Sequence, residues 1–570
     1  MITIDISKKG VLNVEHTKLL NQVGLEIRAE YNDLIHSLVS KPDSPYQWAS
    51  PLFSRNTIEH YHELFPKLVH LAFIKQLLVQ QQPIDIIITD SHLVASILKK
   101  NETIQIRNIQ VQYHKPSLLE RLKYFWYFRL EYFAATFEII KRFILTKIYP
   151  SKNLLNNSIT LSEVSILHNS FENNQYHDRY YANFGEIDQN TTSIYLPNFI
   201  VKSSSRLIQI IRNSKQFLLK EDFLKWNDYV RILSYPLHKH KILKDDKRKL
   251  KFRGFDVFTL IQEEYWREWG THSALNALLN YFFIKRLSTY PNLDIRLFIT
   301  WFENQSINKT FNLALNQFMP QITNKGYQVS ILDNKYYLCF YPTKEEHQFN
   351  LLPQKIAISG KGFAKESLEF CPEIPYEIAP AFRHQDVWQQ RKQYPDTQNF
   401  VVLLGLPIIL DESIHLIKIM HQYAKNNNNI KVKIKPHPSV PDTAIIQHYT
   451  EQIPKSFEFV SGNFHNIIET SHLLITTASS VAVEAIAKGI PVIIIGKLSG
   501  LIHNPIPKNI SKKIWRLCYT PKELKDAIDY FMNLSSKQQE ELQEIGKQVR
   551  ADYFEPVTPK ATHKFLMLDN

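Results

Sequence analysis

Cysteine is nearly absent: Cys339, Cys371 and Cys518 are the whole complement of a 570-residue chain. An odd number at wide spacing excludes a disulfide framework and a zinc-ligand pattern, and it fits a reducing compartment. No apolar run reaches the ~20 residues that span a bilayer. The N-terminus, MITIDISKKGVLNVEH, lacks the apolar core of a secretory signal. A cytoplasmic location is therefore expected. Also missing are helix-turn-helix, zinc-finger and RNA-binding signatures, so the net charge of +13 does not read as nucleic-acid binding. A basic surface that serves an anionic substrate or membrane remains. The one adjacent aspartate pair, Asp245-Asp246, lies in the basic run KDDKRK and reads as a solvated loop, so no metal site is expected.

The length exceeds what a single core fills, and two or more domains are expected. Charged residues make up 22% and hydrophobic ones 44%, the balance of a globular chain. Ile84–Lys100 reads as a strand ending at Asp90 with a helix following at once, a unit of a parallel α/β sheet. Ile104–Val111 is expected to be the next strand. Residues 118–149 are helical in character, dense in aromatics, and carry Arg121, Lys123, Arg129, Lys141, Arg142 and Lys147. Two readings compete for this segment: an interfacial helix on an anionic membrane, and an amphipathic core helix with solvated charges. Its acidic Glu120, Glu131 and Glu138 weigh toward the second. A single helix is expected over Phe255–Leu287, with strands at Asp294–Trp301, Tyr327–Leu332 and Lys355–Gly360. The polar stretch 385–398 reads as a linker.

Past the linker, strands and helices alternate: Phe400–Leu404, Ile430–Ile434, Phe457–Val460, Leu473–Thr476 and Val492–Ile495 are strands, with helices at Glu412–Lys425 and Ser480–Lys488. That alternation predicts a doubly wound sheet. Two chemically loaded turns fall at strand ends, the edge at which such sheets bind ligands. In KIKPHPSV, Lys435, His437 and Ser439 share a turn stiffened by Pro436 and Pro438; a held cation or donor there suits a phosphate oxygen or a departing phosphate. In LLITTASSVAVEAIAKG, the hydroxyls of Thr476, Thr477, Ser479 and Ser480 lie between strand and helix, where free N–H groups favour an anion. Ser479 or Ser480 can equally be an ordinary helix cap. Glu484 lies on the helix face from which a carboxylate reaches a ribose or base, and Gly405 ends the first strand of the set.

The two turns, in this order, resemble the His-Pro and Ser-Ser motifs of GT-B glycosyltransferases that use CMP-activated sialic acid or Kdo. The matching residues here are His437-Pro438 and Ser479-Ser480. A looser resemblance, to surface-carbohydrate biosynthesis proteins, adds the ENQ of Glu303–Gln305, the APAFRHQ segment around Arg383, KPHP, and TTASS with Glu484. The resemblance implies an α/β GT-B fold: two Rossmann-like doubly wound domains facing a cleft. Residues 1–384 would bind the acceptor, with a helical insertion near 118–150. Residues 399–535 would bind the nucleotide sugar, and 536–570 would form a helical tail packing back on the N-terminal domain. It implies transfer of a CMP-linked nonulosonic acid to a surface glycan or lipid-linked saccharide in capsule or lipopolysaccharide synthesis, without metal or other cofactor. A nucleotide-sugar epimerase, a CDP-glycerol-type phosphotransferase and a non-catalytic assembly protein are the alternatives. For the catalytic carboxylate, Asp90, Glu264 and Glu303 stand open, as does the choice between inversion and retention.

Overall fold

The computed structural model describes residues 1–58, 62–149, 159–167, 170–178, 180–181, 192–214, 216–239, 250–290, 294–328, 335–389, 399–425, 427, 430–438, 440–449 and 451–568. Ser439, Asp245 and Asp246, and most of the expected linker, lie outside these residues.

Three parallel sheets organise the chain. The first has strands β1 (Thr3–Asp5), β2 (Ile86–Thr89) and β3 (Gln110–Tyr113), in sequence order. The second has β4 (Ile159–Ile166), β5 (Thr192–Phe199), β6 (Ile295–Trp301), β7 (Thr323–Gln328), β8 (Lys355–Ile358) and β9 (Tyr376–Ile378), ordered β9-β8-β7-β6-β4-β5. The third has β10 (Phe400–Gly405), β11 (Ile430–Lys435), β12 (Phe457–Phe459), β13 (Leu473–Thr476), β14 (Val492–Ile495) and β15 (Trp515–Cys518), ordered β12-β11-β10-β13-β14-β15. Both six-stranded sheets are parallel throughout. Each is a doubly wound order in which the chain winds outward from the middle and then reverses, leaving a crevice at the reversal. That crevice lies between β4 and β6 in one sheet and between β10 and β13 in the other. The two doubly wound sheets bear out the expected fold class.

Sequence explains the central strands directly. β13 (LLIT) and β14 (VIII) are buried at every position, as strands covered by helices on both faces must be. β11 (IKVKIK) lies next to the edge and alternates, placing Lys431, Lys433 and Lys435 on the less buried face.

Several expected elements differ. The N-terminal region contains a separate three-stranded sheet in addition to the six-stranded one, so Asp90 follows a strand of the smaller sheet. Residues 104–111 divide into a helical turn, Glu102–Ile106, and β3. The helix expected over Phe255–Leu287 is two, Phe258–Arg267 and His272–Leu287. They part at Gly270, whose φ of +135° suits a residue without Cβ. Within the expected linker, Gln385–Trp388 belongs to a 3₁₀ turn, Phe382–Trp388, with Val387 buried.

Four further helices frame the sheets: α1 (Val14–Glu26), α2 (Leu118–Ile148), α3 (Val481–Ala487) and α4 (Ser536–Tyr553), followed by α5 (Pro559–Leu566). α4 packs Leu542, Val549 and Tyr553 into the C-terminal core beside Ile486 and Val492. The chain then crosses over: Glu555 donates its N–H to the Ser359 carbonyl and accepts from the Ala381 N–H, at 2.7 and 2.8 Å. α5 puts Phe565 and Leu566 into the core of the second sheet beside Tyr327 and Phe382. The end of α4 also meets the N-terminal part, where the Tyr553 ring packs edge-on against Phe363 and Lys361 pairs with Asp552, so both helices of the expected tail touch it.

Candidate functional site

The two loaded turns of the third sheet meet across a single strand. Gly405 ends β10, in register with Lys435 of β11 on one side and Thr476 of β13 on the other. The Thr476 hydroxyl donates to the Gly405 carbonyl at 2.6 Å. The Leu406 N–H donates to the Lys435 carbonyl at 3.0 Å. Neighbouring parallel strands lie about 4.8 Å apart, so the His437 turn and the Thr477–Ser480 turn flank Gly405 at roughly 10 Å from each other. A Cβ on Gly405 would stand 3.3 Å from Leu474 and 3.5 Å from the Thr476 hydroxyl, so the strand end between the turns is close to full.

The His437 side is electropositive. Burial pushes the His437 imidazole below its ordinary value, and the charges of Lys435 and Arg383 push it the same way. Lys435 is itself lowered by burial. Arg383 is exposed and comes from the crossover into the third sheet. Three cationic or proton-accepting groups thus gather here, and an incoming anion would favour the charged forms of Lys435 and His437.

On the Ser480 side, the ordinary capping role is not taken up. Ser480 is the N-cap of α3 by position, but it has right-handed helical dihedrals and its side chain makes no capping bond. The Ala482 and Val483 N–H groups instead donate to the Ser479 and Ser480 carbonyls. Beside them the Thr477 hydroxyl is buried without a hydrogen-bond partner among the described residues. A buried hydroxyl in that condition costs free energy, and an oxygen-rich ligand in the crevice would relieve it.

Glu484 is held by contacts within the protein. It is 6% exposed, and its two oxygens face His384 Nδ1 at 3.5 Å and His465 Nε2 at 3.0 Å. Burial pushes its carboxyl up, but the two imidazoles outweigh that and hold it far below the usual carboxylate range. It therefore clamps the crossover turn, including the residue next to Arg383, onto α3. His384 and His465 were not legible as functional residues. Nothing in NFHNIIE marks His465, because the contact joins elements distant in sequence.

The three candidate carboxylates differ sharply. Glu264 is buried, with Oε1 bound by His62 at 2.5 Å and Arg267 at 2.8 Å, and Oε2 facing the Glu63 N–H at 3.3 Å. Burial raises its carboxyl, while Arg267 and His62 hold it below its ordinary value. Glu264 is thereby held inside a buried ion-paired cluster. Asp90 is half-buried and accepts the Lys8 N–H at 3.0 Å, on the small sheet. Glu303 is half-buried just past β6, at the crevice between β4 and β6. The chain turns sharply after it, at Asn304, with φ +52°. That turn is held from below. Asn304 donates to Glu346 at 2.9 Å and its carbonyl accepts from Lys309 at 2.6 Å. Arg55 donates to both Glu346 oxygens, at 2.8–2.9 Å. Arg55, Lys309 and Glu346 are completely buried, so Glu303 stands on a rigid charged base.

Among the described residues no group of three His, Cys, Asp or Glu side chains is placed to hold a metal ion.

Residues 343–501 match the model of a family described as "Putative glycosyltransferase (DUF6716)". The match spans the Glu346 base, Arg383, the His437 turn and the Ser479-Ser480 turn, and it bears out the expectation of a glycosyltransferase. No curated protein matches the chain. Among solved structures, an S. aureus MnaA–UDP co-structure is similar over 72% of this chain and 95% of its own, at 10% identity and TM-score 0.40. MurG from Acinetobacter baumannii covers 72% and 99%, at 11% identity and TM-score 0.39. A UDP-GlcNAc 2-epimerase from Neisseria meningitidis covers 72% and 100%, at 10% identity and TM-score 0.39. Likeness of that degree carries no inference about chemistry.

Proposed function

We propose that this glycosyltransferase moves a CMP-activated nonulosonic acid onto a surface glycan or a lipid-linked saccharide. The observation that carries the reading is the convergence of Lys435, His437 and Arg383 with the Thr477–Ser480 turn across Gly405, at the crevice of the third sheet. In this reading one phosphate sits between the two turns. Its oxygens would accept from the hydroxyls and N–H groups on the Ser480 side and face the cations on the other. As the bond from the sugar to the phosphate breaks, CMP leaves with the electron pair, and preorganised donors stabilise the charge that develops. The acceptor oxygen forms the new bond, and its proton goes to a carboxylate. Glu303 is assigned that role because it stands at the corresponding crevice of the opposite sheet, on a turn fixed by Glu346 and Lys309.

Support for a membrane-associated acceptor comes from α2. Its first three turns stand clear of the body. Leu118 and Leu119 are 65% and 77% exposed, Phe125 and Trp126 49% and 51%, and the first buried side chain among those described is Phe128. Arg121 and Lys123 are exposed among them. The charge is smaller than the sequence implied, because Arg142 is buried against Glu221, Lys141 pairs with Glu138, and Arg129 lies over Phe125 and Trp269. No helix among the described residues is long and apolar enough to cross a membrane, so the reading is of a helix lying in the interface.

Titration calorimetry with CMP, UDP and GDP, followed by turnover of CMP-linked sugars in EDTA, tests the donor. CMP should bind at least tenfold tighter than the diphosphates, and turnover should persist without metal. Tighter UDP binding, or epimerisation without transfer, removes the CMP-sugar assignment.

A further inference from the structure

A second cationic site lies away from the His437 turn. Along the open edge of the third sheet, a groove of about 590 Å³ is lined by Lys18, Lys512, Lys513, Arg516, Leu517 and Tyr519. Lys18 comes from α1 of the first lobe and the others from β15 and its flanks, so the groove is built by two parts of the chain that touch. The Leu12 N–H donates to the Leu498 carbonyl at 3.0 Å, and the Ile502 N–H donates to Asn21 at 2.8 Å.

Charge in this groove is not balanced from within. Lys513 pairs with Glu541. Lys18 and Lys512 meet no carboxylate among the described residues, and Arg516 donates only to the backbone carbonyls of Lys512 and Trp515. Elsewhere the chain compensates clustered cations, as Glu346 does for Arg55 and Lys309. Burial, and then the charge of Arg516, push the Lys512 amine down to about 8. Like charges around one concavity raise its affinity for anions. The walls between the charges are apolar and aromatic. Lys512 sits 3.1 Å over the Trp515 ring, and Lys18 sits 5.4 Å from the centroid of Tyr519.

Position supplies the second argument. Tyr519 follows the C-terminal end of β15, and the Gly496 N–H just past β14 donates to the Cys518 carbonyl at 2.8 Å. β14 lies beside β13, whose end carries Thr477–Ser480. Two strand spacings of about 4.8 Å separate the ends, so the Tyr519 end of the groove lies on the same edge as the hydroxyl turn, while Lys512 and Lys513 lie before the start of β15.

We propose that this groove binds an acidic saccharide, with its carboxylates or phosphates on Lys18, Lys512 and Arg516 and its sugar faces against the apolar wall. The site handles a glycan chain, is distinct from the phosphate site, and does not depend on which nucleotide the protein uses.

Calorimetric titration of the full-length protein with tetragalacturonate, maltotetraose and inorganic pyrophosphate tests it. Tetragalacturonate should bind saturably and at least tenfold tighter than either of the others. Lys18→Gln and Lys512→Gln should each weaken it about tenfold, as expected for a lost charge-assisted bond, while CMP affinity stays unchanged. Lys18 and Lys512 are exposed, and unchanged melting curves will confirm that the variants fold. Near pH 8, binding should take up protons, read from titrations in buffers of different ionisation enthalpy, and Lys512→Gln should abolish that uptake. Pyrophosphate binding as tight as tetragalacturonate overturns the saccharide assignment. Absence of tetragalacturonate binding, or binding that both lysine variants leave intact, overturns the site.

Discussion

Thr476 and Gly405 are joined by a 2.6 Å hydrogen bond from hydroxyl to carbonyl, and that bond fixes the spacing of the two turns that would hold a phosphate. Thr476 is fully buried, so nothing in solvent can replace it.

Thr476→Val keeps shape and removes the donor. The Gly405 carbonyl is then left without its side-chain partner, at a cost of about 1–3 kcal/mol. A lower urea midpoint with an unchanged slope, together with weaker CMP binding, is the expected result. Wild-type CMP affinity in this variant would mean that the turns are positioned independently of the bond.

His437→Ala should leave the fold intact and lower turnover by about 10²–10³, as loss of one preorganised donor does. The pH dependence has a definite sign. His437 is held below its ordinary value of 6.5 in the free protein, so it is neutral at pH 7, and an anion that favours the imidazolium takes up a proton on binding. CMP affinity should therefore fall as pH rises from 6.5 to 8. In the His437→Asn variant only the dependence set by the second ionisation of the CMP phosphate, at about pH 6, should remain; a slope unchanged from wild type would point to another titrating group.

Glu346 lies at about 2, below its ordinary 4.5: burial pushes it up, but Arg55 and Lys309 outweigh that. A depressed carboxyl stabilises the fold fully above pH 4.5, and that stability is lost as pH falls through 4.5 toward 2. The shift corresponds to roughly 3 kcal/mol. Arg55→Met should destabilise the protein by about 3–5 kcal/mol, because it strips a buried carboxylate of its main partner. It should also reduce the loss of stability below pH 4.5. Denaturant titrations at pH 3.5 and 7 measure both effects, and equal acid sensitivity in variant and wild type would place the acid-labile group elsewhere.

Replacing Leu119, Phe125 and Trp126 with Ser should cut binding to vesicles of anionic lipid at least tenfold, since each side chain fully buried is worth about 1.5–3 kcal/mol. Arg121→Gln with Lys123→Gln should remove the part of binding that salt releases. The Arg142→Gln variant should instead lose stability, because Arg142 is buried against Glu221. Sedimentation with vesicles separates these outcomes. Vesicle binding that tolerates all five surface changes removes α2 from the membrane contact.

The C-terminal half was legible because its chemistry is local. LLIT and VIII are continuous apolar runs, which a strand covered on both faces requires, and the turns that end β11 and β13 carry their reactive groups within a few residues of the strand. Proline on either side of His437 and hydroxyls before α3 are visible without a structure. Which strands lie side by side is not local. Asp90 follows a short strand in the sequence just as Thr477 does, yet β2 pairs with β1 and β3 in a sheet of its own, because pairing is settled by the surfaces available in the folded chain. Glu484 sits on the helix face that was expected, but two histidines from distant elements reached it first. The same holds for α2. Its composition shows apolar and basic residues together, and only packing decided that Arg142 is enclosed while Trp126 is left in solvent. Sequence by itself determined the elements of the C-terminal sheet and the chemistry at their ends. Tertiary structure decided which of those ends face one another, since charge and burial depend on neighbours that periodicity does not encode.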